Sequence, residues 1–378
     1  MLKRLLMLAL MLVISANVFS FGCSAEQAES SETSLDSYAS EISGRLNEAI
    51  DDETKETMAE HGADGSDICG AGIDSLISAA VKSFKGSLRE PFRVLAKLTA
   101  LLILTSAARS LVPSGGMRPT FSFVTLMGCI TIVYSTVYTS FSGVCEYLDR
   151  LGGFMIAYVP IYASVNAASG GIVSGGGYYA SALWVCEVIA FAADRVIMPF
   201  LSILLAVSFA AAINPEMRFS SAVESMKNAV RITLTALMTV FSGLISVRSF
   251  AAAAADNAAV RAVRFGASSF IPIIGGSVSD AYSTVQAGVG LIRTGVGTLG
   301  ISVILFMLLK PLVTLMSVKL TLDAARMISD ILGIAEVSEL LRSACYAMSA
   351  AVSTTLCFSM MFLVSTAIMM PAAANIGQ

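Results

Sequence analysis

A chain of 378 residues that is 56% hydrophobic and 13% charged, with a mean hydropathy of +0.77, cannot be a soluble globule, in which about a quarter of residues carry charge. Its formal net charge of -3 hides a polarised chain: residues 26–67 hold thirteen acids against Arg45 and Lys55, while the segments on either side are net positive. No basic soluble domain remains to bind nucleic acid. The single histidine, His61, excludes histidine-rich metal sites and argues against histidine catalysis.

Lys3 and Arg4 followed by an apolar run over residues 5–14 read as a signal peptide, residues 1–25, with small residues before a cut after Ala25. Acylation at Cys23 is the alternative, disfavoured by bulky Phe21. Residues 26–67 follow as an acidic, Ser-rich extracytoplasmic arm, expected to be disordered or marginally helical. Over residues 68–97, Ile73, Leu76, Ile77, Val81, Phe84 and Leu88 recur at helical spacing beside Lys82, Lys85, Arg89 and Arg93. That pattern predicts a basic amphipathic helix lying on the membrane surface.

Charge-free runs mark the spans: residues 98–108, 119–145, 151–186, 196–215, 232–247, 294–309 and 343–378. Residues 98–150 form a first transmembrane hairpin in this reading. The 36-residue run from Leu151 is too long for one span and is interrupted by Pro160, Gly170, Gly171 and the glycines at 175–177, so it must fold back. Sliding the chain against itself by 112 residues superposes Pro160 on Pro272 and Pro199 on Pro311, which suggests two membrane repeats, 151–262 and 263–378. A basic loop over residues 248–264, with Arg248, Arg261 and Arg264 against Asp256, is expected in the cytoplasm. The span count then makes 151–177 re-entrant from outside and 265–291 re-entrant from inside, an inverted repeat. Residues 311–322 form a short span or continue the preceding helix past Lys310 and Pro311.

The glycines Gly295, Gly297 and Gly300 spell GxGxxG, but without a preceding strand they signal close helix packing rather than a dinucleotide site. No P-loop or HExxH motif is present, so an ATP-driven process requires a separate motor. Ionisable residues near membrane depth are the functional suspects: Glu187, Asp194, Arg195, Asp280, Arg293 and Lys310. The candidate pore or gating residues are Pro160, Pro272, Gly275, Gly276, Asp280, Arg293 and Lys310. A turn between Asp280 and Arg293 would let the two pair. No catalytic group, metal or cofactor is expected.

The run FIPIIGGSVSDAYSTVQAGVGLIRTGVGTLG, residues 270–300, resembles the most recognisable stretch of the stage III sporulation protein AE family. The order of signal peptide, acidic arm, amphipathic helix and polytopic bundle fits that family over almost the whole chain. The resemblance implies an all-α membrane subunit of the channel or export apparatus that joins mother cell and forespore in endospore formers, resident in the mother-cell membrane and without enzymatic activity. It implies as partners the other stage III sporulation operon proteins, including a secretion-type ATPase and ring-forming proteins, with stage II sporulation protein Q in the forespore membrane, and self-association. Two further readings stay open: a stand-alone secondary transporter, which broken helices would also suit, and a structural assembly platform.

Overall fold

The computed structural model describes residues 32–50, 52–60, 89–111, 117–191, 195–196, 198–213, 219–270 and 275–369. The signal peptide, most of the amphipathic segment and Pro272 lie outside them. The described residues form helices and no strand: α1 Glu32–Ala49, α2 Asp52–Glu60, α3 Arg89–Leu111, α4 Met117–Ala168, α5 Ile172–Phe191, α6 Met198–Ile213, α7 Phe219–Phe270, α8 Gly275–Ile331 and α9 Ala335–Met369. Five stretches are long and apolar enough to cross a membrane: Arg89–Leu111, Thr120–Ala168, Glu224–Ala262, Thr284–Ile331 and Ala335–Ala367. The chain is thus an all-α, multi-pass membrane bundle.

The arm is more ordered than its composition suggests. Ile42 and Leu46 of α1, Ile50 just after it and Met58 of α2 are buried, and the two helices pack on α4 and α8. Ile42, Leu46 and Ile50 recur every fourth residue, a short apolar stripe that a high acid content masks.

Helices α3 and α4 form an antiparallel hairpin. Thr105 and Thr125 share a buried hydroxyl hydrogen bond of 2.6 Å, and Leu101 packs over Gly128. Arg109, near the end of α3, bonds to Ser122 and reaches Glu336 at 3.8 Å, bringing the starts of α4 and α9 to the same end of the bundle. Helix α4 then runs for 52 residues with Pro160 inside it, exposed on its outer face. The expected boundary at 150/151 falls within this helix. Charged Glu146 and Asp149 point outward while Tyr147 and Leu148 are buried, so charge interrupts the apolar run without interrupting the helix.

The chain does fold back near Gly170. Gly171 N–H bonds to Asn166 O at 2.9 Å and Gly170 N–H to Ala167 O at 3.1 Å, with Gly170 at φ 95°. This is a Schellman termination, which needs a residue able to adopt the left-handed conformation. The same device at Gly333, φ 68°, joins α8 to α9.

Of the two readings of residues 311–322, continuation of the preceding helix holds: α8 passes unbroken through Lys310 and Pro311. Two expectations need correction. Residues 248–264 are not a loop: they lie within α7, where Arg248 and Arg261 are exposed and Asp256 is buried. The two fold-back segments do not approach from opposite faces. Tyr158 meets Val296 and Ser169 meets Gln286, so α8 runs antiparallel to α4. Tyr147 meets Ser359, Leu234 meets Cys357, and Asp256 meets Val173, so α9 and α7 run parallel to α4. The first reversal, the end of α7 and the start of α8 therefore lie at one end. The spacing that pairs Pro199 with Pro311 also sets the second residue of α6 against the interior of α8. A closer correspondence is between hairpins: α4 and α7 each have 52 residues, and Gly170, Gly171, Val173 and Ser174 after the first match Gly275, Gly276, Val278 and Ser279 after the second.

Candidate functional site: a buried polar cluster between two hairpins

The end shared by both hairpins holds a set of buried polar side chains that includes Asn166, Ser169, Asp256, Gln286 and Arg293. Helix α4 contributes a ladder at four-residue spacing. The rings of Phe154, Tyr158 and Tyr162 stack with centroids 5.4 and 5.5 Å apart, and Tyr178 of α5 meets Tyr162 edge-on at 5.4 Å. These rings are buried, and such pairs contribute about 0.5–1.5 kcal/mol each beyond their area.

Helix α8 receives the ladder. Tyr158 donates to Val296 O at 3.3 Å, and its ring lies where a side chain on residue 300 would be: a Cβ on Gly300 would stand 2.4 Å from the ring. Gly300, the last glycine of GxGxxG, thus serves close packing as expected, whereas Gly295 faces open space. One helical face further along, Arg293 is 1% exposed and its guanidinium faces the Tyr162 hydroxyl. A cation at membrane depth costs about 2.5–3.5 kcal/mol on insertion scales, and tyrosine rings and hydroxyls offset part of that.

The reversal itself is held from the second hairpin. Val173 N–H donates to Asp256 Oδ1 at 2.8 Å, and Gln286 Nε2 donates to Ser169 O at 3.0 Å. Asp256 is 3% exposed and Gln286 is likewise buried.

Of the candidates read from sequence, Arg293 alone is in this cluster. Pro160 is on the outer face of α4, and Lys310 is exposed on α8. Gly275 and Gly276 are the first residues of α8, with Asp280 in its second turn. The proposed Asp280–Arg293 pair is ruled out, because both belong to one continuous helix and thirteen residues of helix separate them by about 20 Å. Lys310 is farther along the same helix by about 25 Å, so the three charges do not converge. Tyr158, Tyr162, Tyr178, Asp256 and Gln286 were not singled out from sequence. The four-residue tyrosine spacing was visible there; the role of Asp256, whose partner is 83 residues away, was not. Among the described residues no group of three or more His, Cys, Asp or Glu could hold a metal ion. The arrangement joins helices.

A sequence model of the family described as Stage III sporulation protein AE matches residues 66–373. Stage III sporulation protein AE of Bacillus subtilis (strain 168) is 23% identical over 210 residues, 56% of this chain and 53% of that protein. The chain thus matches about half the length of that relative. The family match leaves out α1 and α2, which still pack on α4 and α8 inside it. No solved structure matches the chain.

Proposed function

Because the chain belongs to the stage III sporulation protein AE family, and so has a role in sporulation, we propose that it is a multi-pass, non-enzymatic subunit of the channel or export apparatus between mother cell and forespore. The observation that carries this reading is an all-α bundle with five membrane-length helices and polar side chains buried between its hairpins. The subunit sits in the mother-cell membrane. It works with the other stage III operon proteins, including a secretion-type ATPase that supplies the energy and ring-forming proteins, and with stage II sporulation protein Q across the intermembrane space.

Large side chains buried along the bundle favour a path between copies over one through a single chain. Tyr147, Tyr158, Tyr162, Phe358 and Phe362 are fully buried along the bundle. A stand-alone transporter would need room for substrate within one chain at that depth. A platform without a pore is the other outcome that a homo-oligomer leaves.

An in-frame deletion in a sporulating host, with and without a complementing copy, tests the role. Forespore development is expected to stop after engulfment and to recover with the complementing copy. Normal spores from the deletion strain would overturn it. The native mass of the purified protein in detergent tests the transporter reading: a ring supports a path between copies or a platform, and a transport-active monomer supports the transporter.

A further inference from the structure

The Ser169–Gly170–Gly171 reversal between α4 and α5 leaves backbone groups at two helix ends without partners in their own helices. The Schellman bonds satisfy the carbonyls of Asn166 and Ala167 at the end of α4. The Ser169 carbonyl accepts instead from Gln286 of α8, at 3.0 Å. At the start of α5, the residue before Ile172 is Gly171, which has no side-chain oxygen to cap the first turn. Asp256 of α7 supplies that oxygen from another helix, accepting from Val173 N–H at 2.8 Å. Gly170 makes room for both requirements, since its φ is 95° and a Cβ there would stand 2.3 Å from Gln286 Nε2 and 3.3 Å from Val260 Cγ2.

We propose that Asp256 and Gln286 are positioning residues that form a two-point latch, holding the first hairpin's reversal shut against the second hairpin so that it opens only as one unit. The two contacts, at Ser169 and Val173, are four residues apart across the reversal, and both come from the second hairpin. A movement that carries Val173 away from Asp256 therefore also carries Ser169 away from Gln286. The latch couples the hairpins mechanically, and it requires neither a ligand nor a role for the arm.

Hydrogen exchange at residue resolution, on the full chain in nanodiscs, tests this. Asp256→Ala is expected to speed exchange about tenfold at Val173 and also at Gly170, on the Gln286 side of the turn. Gln286→Met, which keeps volume but cannot donate to the Ser169 carbonyl, is expected to speed exchange at Val173, whose N–H bonds to Asp256. Asp256→Asn retains an acceptor oxygen and should stay within about threefold of the parent. Amides of α3 and the first half of α4 serve as the internal reference and should not change. The latch is overturned if each variant loosens only its own side of the turn, or if neither changes exchange there. If Asp256→Ala fails to fold, the Gln286→Met effect at Val173 decides alone.

Discussion

Gly300→Ala is the smallest change that tests the packing of the tyrosine ladder. The new Cβ would meet Tyr158 Cζ, Oη and Cε2 at 2.4, 2.5 and 2.6 Å. Ordinary contacts are about 3.5–4.0 Å, so the ring or the helix must retreat by about 1 Å. The ring has little room, because Phe154 and Tyr162 stack on it at 5.4 and 5.5 Å and its hydroxyl is tied to Val296 O. Overpacking of this kind costs about 1–3 kcal/mol, and the better helix propensity of alanine returns at most about 1 kcal/mol. Gly295→Ala, on the same helix with nothing within 4 Å of its Cβ, gains the propensity without the clash. Reversible unfolding in mixed micelles should therefore show Gly300→Ala less stable than Gly295→Ala by about 1–3 kcal/mol. Combined with Tyr158→Ala, the Gly300→Ala penalty should vanish. Equal stability of the two glycine variants would refute the close packing.

Single cysteines at Gly176 and Gly276, in a background without native cysteines, should react with an impermeant reagent from the same side of the membrane; reaction from opposite sides would restore the inverted arrangement. Leu46→Ala, at a position 1% exposed, should cost about 2 kcal/mol or more and speed proteolysis within α1, and a neutral result would mean that the arm does not dock. Thr105→Val and Thr125→Val should each cost about 0.5–1.5 kcal/mol, with the double variant costing less than their sum because the two hydroxyls share one 2.6 Å bond. Additive costs would show that the hydroxyls act independently.

Class was legible because hydropathy reports directly on the solvent a segment tolerates. Fold-back at Gly170 was legible because only glycine readily takes the φ of 95° found there. Continuity was harder to read. Glu146 and Asp149 of α4, and Arg248 and Arg261 of α7, look like loop residues in a hydropathy trace but occupy exposed positions on long helices. The orientation argument failed with the second of these, since it rested on a loop that is helix. Within the candidate site, Arg293 stood out as an isolated charge in an apolar run. Asp256 was read as a counter-charge to nearby arginines, and its actual partner is a backbone N–H on another hairpin, which no local pattern encodes.

The lengths of the helices bear on assembly. At 52 residues, α4 and α7 are each about 78 Å long, and α8, at 57 residues, is about 86 Å. A hydrocarbon core is about 30 Å thick, and helices cross it at tilts up to about 40°. Even at that tilt a 78 Å helix rises about 60 Å, so a bundle built on such helices extends well beyond one hydrocarbon layer. Its exterior is nevertheless apolar along both halves. Phe123, Val124, Tyr134 and Tyr138 are exposed on the first half of α4, while Ile156, Trp184, Phe250 and Leu291 are exposed toward the hairpin end. Whichever half lies in lipid, exposed apolar side chains on the other half remain to be covered, and in water they favour contact with protein. That geometry supports the reading of the chain as one subunit of a larger assembly.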